Sequence, residues 1–441
     1  MSAALAGLPY TFVLSPADSA RAVAQVYTVS LIATVPFVVA AVAALTLRHS
    51  SASTRALVWR SAILALLIIY LAHLLPVQWM TGVVPAALAA PLIALGELQL
   101  TATGNVAPVN QALAPAAHMW DMNATQMVRG FLLLYWLGVT VVLLPLLRGW
   151  MGTRAIARRA HEMRDAEWGA RLTAARIALG VRRPLRLLVS DEVTVPMTWG
   201  VFRPVIVLPP SVARVTDTHA RAMLLHELAH VRAGDVFFLL LARVVCALFW
   251  FHPAAWWVTH RLRNECELAC DDRVLECGVR ASDYAELLVL AADAAHDARA
   301  GREARAARPM AALLSRRAGL RQRLAAIVDV HRDSRAPTRW SLALAVVAML
   351  TVALPMSAIR LAPSKNVLTT LMRDVRWESR AYAVMGLAQR ADSVDVARAA
   401  SVEDPSPRVR AWARYALTRA PGSRRLPSSL DELRISLPAR R

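Results

Sequence analysis

The 441 residues carry a formal charge of +20, yet 56% of them are hydrophobic and 19% are charged. Apolar content above the ~45–50% of soluble domains, with a mean hydropathy of +0.40, excludes an ordinary soluble nucleic-acid binder, which would explain the charge but not the apolar bulk. A membrane protein with arginine-rich loops explains both.

Residues 1–22 lack a basic leader, so no cleavable signal peptide is expected there and the first apolar run serves as an anchor. Four segments are apolar over the ~20 residues that a helix needs to cross a bilayer. Val23–Leu47 lies between Arg21 and Arg48, Ser61–Trp79 follows Arg60, Gly130–Leu147 lies between Arg129 and Arg148, and Trp340–Ile359 lies between Arg339 and Arg360. Orientation follows from the basic loops. The link 48–60 carries Arg48, Arg55 and Arg60, and the stretch after the third span carries Arg148, Arg154, Arg158, Arg159 and Arg164; both are expected inside. The loop 81–128 contains no Lys or Arg and is expected outside, with the N-terminus and everything after residue 360.

Between the third and fourth spans the pattern changes. Leu185–Ser190 and Val205–Leu208 are short apolar runs punctuated by Pro196, Gly200, Pro204, Pro209 and Pro210, which predicts a small sheet. Thr218–Arg232 then reads as a helix ending at Gly234. It contains His226-Glu227-Leu228-Ala229-His230. Four-residue spacing puts both imidazoles on one helix face, one turn apart, where two nitrogens can reach one zinc ion. Glu227 lies beside them, free to act as general base toward water.

Val236–Val258 is apolar but carries Arg243 and Pro253 and separates the two halves of the candidate site, so a single complete crossing is excluded. A buried core helix and a helix dipping into the bilayer both fit, and Trp250, Trp256 and Trp257 suit an interface. A second helical stretch, Glu265-Cys266-Glu267-Leu268-Ala269-Cys270-Asp271-Asp272, supplies further donors. Catalytic zinc usually takes three protein ligands. Glu267 could be the third, and Asp271, four residues on, could accept the N–H of a ligating histidine. Glu265, Cys266 and Cys270 are competing donors. The four cysteines, Cys246, Cys266, Cys270 and Cys277, crowd into this one region, as expected of reduced thiols rather than a disulfide framework.

Past the fourth span, residues 376–390 and 406–420 align with Arg380 over Arg410, Ala383 over Ala413 and Leu387 over Leu417. An offset of about 30 residues suits paired helices of a HEAT-like repeat.

The motifs HELAH (226–230), FHPAAWW (251–257) and ECELACDD (265–272), with VPMTWGVFRPVIVLPPSV (195–212) and PMAALLSRRAGLRQRLAAIVD (309–329), together resemble the antirepressor sensor-transducer family of integral-membrane zinc metalloproteases, over roughly residues 20–360. That resemblance implies a gluzincin site holding one Zn2+ per chain on His226, His230 and Glu267, with Glu227 as base and Asp271 orienting a histidine. It also implies reception of a signal outside the membrane and proteolysis of a cytosolic target inside, a transcriptional repressor or the protease itself. Beta-lactam sensors of the family carry a nucleophilic Ser-x-x-Lys, whereas the single lysine here is Lys365 and position 362 is Ala, so sensing by acylation is not expected.

The expected architecture is a mainly α membrane protein with an inserted α+β gluzincin domain. Residues 1–147 form a membrane domain with spans near 23–47, 61–79 and 130–147; 148–338 form the cytoplasmic protease domain; 340–359 form the fourth span; and 366–441 form an extracytoplasmic helical tail. Extended substrate is expected to pair with Val205–Leu208 or to run along Pro196–Gly200, so Pro196, Gly200, Val205 and Val207 are the candidate substrate contacts. Expected partners are the bilayer of the cell membrane, a cytosolic protein substrate and an extracytoplasmic protein or ligand that meets the tail, with no direct nucleic acid. Two rival expectations are a non-catalytic receptor or scaffold with structural zinc and a housekeeping quality-control protease.

Overall fold

The computed structural model describes residues 16–74, 80–84, 93–94, 115–300, 319–329, 338–363, 365–390 and 393–418. The start of the chain, most of the expected outer loop, residues 309–318 and the last part of the tail lie outside the described residues. The described chain is mainly helical, and four of its helices are long and apolar enough to cross a membrane: Ala22–Thr46, Ala52–His73, Gln126–Arg159 and Trp340–Ser357. They lie within α1 (Pro16–Thr46), α2 (Ala52–Leu74), α3 (Pro115–Arg159) and, late in the chain, the helix Arg339–Ala358.

The second of these corrects the sequence expectation. It begins at Ala52 rather than Ser61, so Arg55 and Arg60 belong to the helix. A hydropathy window stops at a charge, but a helix does not when the charge finds a partner, and both guanidiniums do. Arg55 bonds Glu265 and Arg60 bonds Asp235. The third helix likewise runs on through Arg148 to Arg159.

The chain forms two compact units. The larger comprises residues 30–74 and 136–357. After α3 come β2 (His161–Glu162), α4 (Ala166–Leu179), β3 (Arg186–Val189), β4 (Met197–Trp199) and β5 (Val205–Leu208). The strand order is β2-β3-β5-β4, with β3 and β5 parallel and the outer pairs antiparallel. Alternation of side chains divides the sheet's two faces. Leu188, Val207 and Trp199 pack with Ile156 on one side, while Leu187, Ile206 and Leu208 join the main core on the other.

Five helices complete this unit's core: α5 (Asp217–Ala233), α6 (Asp235–Leu248), α7 (Pro253–Glu276), α8 (Ala281–Ala300) and α9 (Leu320–Val328). Thr216 caps α5 by accepting from the His219 N–H, and Asp217 adds negative charge to its first turn. Leu224, Leu225 and Leu228 of α5 are fully buried, at roughly 1.5–3 kcal/mol each relative to exposure. α5 stops at Gly234, whose φ of 68° lies in the left-handed region that glycine enters at no steric cost, and α6 starts at the next residue. The apolar stretch 236–258 is broken at Phe249–His252 into α6 and the start of α7. At 14 residues, α6 is about 21 Å long, short of the ~30 Å bilayer core. It packs on α7, where Cys246 Sγ meets Thr259 Oγ1 at 3.0 Å.

The second unit contains the parallel pair β1 (Met80–Val84) and β6 (Ile359–Pro363), in register Met80 to Ile359. β6 directly follows α10 (Arg339–Ala358). Four short helices follow: α11 (Lys365–Leu371), α12 (Trp377–Ala388), α13 (Val394–Glu403) and α14 (Pro407–Leu417). Their core is small-residue packing of Ala381, Val384, Ala397, Val409 and Ala413. The two arginines aligned in sequence make the same bond. Arg380 Nη1 donates to the Asp374 and Val375 carbonyls at 2.8 and 2.9 Å, and Arg410 Nη1 to the Asp404 and Pro405 carbonyls at 2.6 and 3.2 Å. Each therefore ties the start of its helix to the preceding turn, six and five residues back.

Candidate metal centre

α5 packs on α7, and the two histidines of α5 face the acidic stretch of α7. His226 Nε2 lies 3.7 Å from Glu267 Oε2, and His230 Nε2 lies 3.8 Å from Glu267 Oε1. One donor atom from each of the three residues lies within 4.8 Å of the other two, close enough to hold one ion.

The opposite side of each imidazole is engaged. His230 Nδ1 is 2.6 Å from Asp235 Oδ2. Gly234 ends α5 and lets α6 start at the next residue, so that Asp235 stands close to His230 of the last turn of α5. On the other ring, His226 Nδ1 is 2.9 Å from the Tyr284 hydroxyl, and Tyr284 in turn donates to Asp271 Oδ1 at 2.6 Å. Asp271 itself stands 3.4 Å from His226 Nδ1. Partners on Nδ1 fix the ring orientation and leave Nε2 turned toward Glu267.

Arg323 of α9 closes the arrangement. It forks onto Asp271 at 2.8 and 2.6 Å and reaches Glu267 Oε2 at 3.1 Å. Burial alone would raise the Asp271 carboxyl, but the Arg323 charge and hydrogen bonds hold it well below the usual carboxylate range. Burial pushes Tyr284 well above an ordinary phenol, and the Asp271 charge adds to that. Asp235 follows the same pattern as Asp271: burial opposes its charge, yet the His230 hydrogen bond and the Arg60 guanidinium bring it to about 2. Burial would lower His230, but Cys270, Asp235 and Glu267 together raise it well above an ordinary imidazole. Two imidazoles and a carboxylate on one spot, in surroundings that favour positive charge, fit a cation such as zinc.

The competing donors are drawn elsewhere. Glu265 bonds Arg55 Nε at 3.0 Å. Cys266 Sγ accepts from Arg60 Nη2 at 3.6 Å. Cys270 faces the Nδ1 side of His230 at 3.3 Å, and burial pushes its thiol up to about 12. His230, Asp235 and Cys270 also lie close enough for an ion, but there the His230 nitrogen is the one that Asp235 already holds.

Glu227 is buried beside the histidines, and Thr198 Oγ1 donates to its Oε2 at 2.5 Å. Thr198 sits on β4, the edge of the sheet. This position corrects one of the two expected substrate edges. β5 has β3 on one side and β4 on the other, and Val207 is fully buried, so Val205 and Val207 have no free ladder to offer an extended chain. The Pro196–Gly200 segment contains β4, which pairs on its outer side with no strand among the described residues. Gly200, with φ 92° and the Arg203 carbonyl where a Cβ would stand, lines a cavity of about 580 Å³ with Thr198, Phe202, His230, Phe237 and Phe238. Pro196 precedes β4 and does not line that cavity.

Sequence reasoning brought His226, Glu227, His230, Glu267 and Asp271 to one place and missed Asp235, Tyr284, Arg323 and Thr198. An acid immediately after the helix-ending glycine was the one signal available, for Asp235.

Comparison with known proteins finds distant relatives of the chain. The regulatory protein BlaR1 of Bacillus licheniformis is 27% identical over 160 residues, 35% of this chain and 26% of that protein. The methicillin resistance mecR1 proteins of Staphylococcus aureus and Staphylococcus epidermidis are 33% identical over 96 residues, 22% of this chain and 16% of theirs. The chain thus spans about a quarter or less of the length of these relatives. With its apolar helices, the likeness makes this a membrane protein, and the family implies a metal. Residues 23–327, from the first spanning helix to the end of α9, match the BlaR1 peptidase M56 family, and the chain belongs to that family.

Proposed function

We propose that the chain is a membrane zinc metalloendopeptidase of a signal-transduction system. The observation that carries this reading is the convergence of His226 Nε2, His230 Nε2 and the Glu267 carboxylate, with both Nδ1 atoms engaged on the far side. A zinc ion held there supplies Lewis acidity toward a peptide carbonyl and water.

The chain's own residues supply the rest. The scissile segment lies extended along the free edge of β4, where backbone pairing fixes its register as strand addition does. Glu227 accepts the proton of the attacking water and passes it to the leaving amine nitrogen. Thr198, by donating to one Glu227 oxygen, leaves the other free for that transfer and fixes the rotamer. The cavity lined by Phe202, Phe237 and Phe238 takes a side chain next to the scissile bond.

The α+β unit is a gluzincin domain on the cytoplasmic face, a reading supported by the positive charge of Arg48 and of the arginine-rich end of α3. Its target is then a cytosolic protein such as a transcriptional repressor, and the protease itself. The Arg380–Arg410 repeat favours a HEAT-like tail that binds an extracytoplasmic partner. Comparing the proteomes of cells that carry native protein or Glu227→Gln tests this reading. Cleavage products should vanish in the variant while its zinc content stays native. Unchanged products would refute Glu227 as base.

A further inference from the structure

Arg60 is a charged residue well inside a helix that is apolar enough to span a membrane. Such a charge is costly unless it is paired and is commonly tied to function. Its guanidinium is engaged by three elements of the metal site's scaffold. Nη2 pairs with Asp235 Oδ1 at the start of α6. Nη1 donates to the Ala233 carbonyl at the end of α5, at 3.3 Å. Nη2 also donates to Cys266 Sγ of α7 at 3.6 Å, and the Phe238 ring lies 4.9 Å from the guanidinium carbon. Arg60 thus sits where α5, α6 and α7 meet, and Asp235 uses its other oxygen to hold His230 Nδ1 at 2.6 Å.

We infer that Arg60 is a positioning residue for the metal centre, acting on His230 through Asp235, and that α2 is the spanning helix to which the centre is coupled. This rests on the proposed zinc site. A carboxylate with two oxygens bridges a fixed cation and an imidazole, so the cation's place sets the carboxylate's, and the carboxylate sets the ring. Removing the cation leaves Asp235 Oδ1 without its partner, so that the carboxylate is held only through Oδ2, by His230 Nδ1 and the Cys270 thiol, and can rotate off the ring. Because Arg60 rides on α2, a rotation or slide of that helix has the same effect. Arg55, one and a half turns away on the same helix, holds Glu265, which is not near either histidine's Nε2, and so provides a control.

The test uses the full chain purified in detergent, with Co2+ as the spectroscopic probe and chelator competition for Zn2+ affinity. Partners of ligating histidines are typically worth about 10–100-fold in metal affinity. Arg60→Gln should therefore weaken Zn2+ by about that factor and shift the Co2+ visible bands, while Arg55→Gln leaves both native. Arg60→Lys keeps the charge but on a single nitrogen, without the planar fork of the guanidinium. It should recover most of the affinity, to within about fivefold of native, with bands still displaced. In an Asp235→Asn background, Arg60→Gln should add less than about threefold, because the route is already cut.

Native affinity and bands in Arg60→Gln, or a loss that adds in full to that of Asp235→Asn, would overturn the inference with the zinc site intact. Should the glutamine variant fail to fold, the lysine variant carries the test, and bands identical to native there overturn it. A native protein that binds no Co2+ or Zn2+ would overturn the site reading itself and this inference with it.

Discussion

Asp235 stands 2.6 Å from His230 Nδ1, on the other side of the ring from Glu267. Asp271 occupies the equivalent place behind His226, at 3.4 Å with Tyr284 bridging. Each histidine is therefore backed by an acid from a different helix, and only the Nε2 atoms are presented to Glu267.

Tyr284→Phe removes the bridge without removing Asp271. His226 then relies on a longer, less direct contact. Zinc affinity should fall by about 10-fold, with little loss of thermal stability because the ring stays in the core. Chelator competition on the purified chain measures this, and native affinity would show that the hydroxyl does not orient His226.

Asp271→Ala leaves the Arg323 guanidinium buried without its main partner. Breaking a buried pair on one side costs about 3–5 kcal/mol, so the variant should unfold at clearly lower temperature. The carboxyl's depressed native value also gives a pH signature. Its contribution is complete above about pH 4, the unfolded aspartate value, and is lost as pH falls below that toward the lower native value. Thermal melts from pH 6 to pH 3 should steepen in the native protein relative to Asp271→Asn. Parallel profiles would remove Asp271 as the source.

Glu265→Gln separates two acids that are two residues apart. Glu265 serves Arg55, so zinc binding should stay within about twofold while stability drops by about 1–3 kcal/mol for the weakened charged hydrogen bond. A large loss of zinc would reinstate Glu265 as a ligand.

Thr198→Val keeps the shape of β4 but takes the donor from Glu227. The expected loss in kcat is about tenfold, from one hydrogen bond to a charged group, with zinc content unchanged. Steady-state cleavage of a peptide spanning the target site decides it, and a change in KM alone would place Thr198 in binding rather than in support of the base.

What could be read from sequence was whatever depends on local spacing. The His226–Glu227–His230 and Glu267–Asp271 patterns are helical repeats of one turn, and they hold. The spans were visible as apolar runs. Their ends were not, because Arg55 and Arg60 look like loop charges until α7 and α6 supply Glu265 and Asp235. Tyr284 and Arg323 were invisible because they reach the site only through the packing of α8 on α5 and of α9 on α7, 13 and 52 residues from Asp271. β5 was legible as a strand, but its neighbour β4 has three residues, too short to show a period, so the true sheet edge was not.

The most direct measurement is the zinc content of the full-length protein purified as native, Glu227→Gln and Glu267→Ala. About one zinc per chain is expected in the first two and a marked loss in Glu267→Ala, because the third donor comes from a helix about 40 residues away in sequence. A Glu267→Ala protein that holds zinc as tightly as native would contradict that expectation.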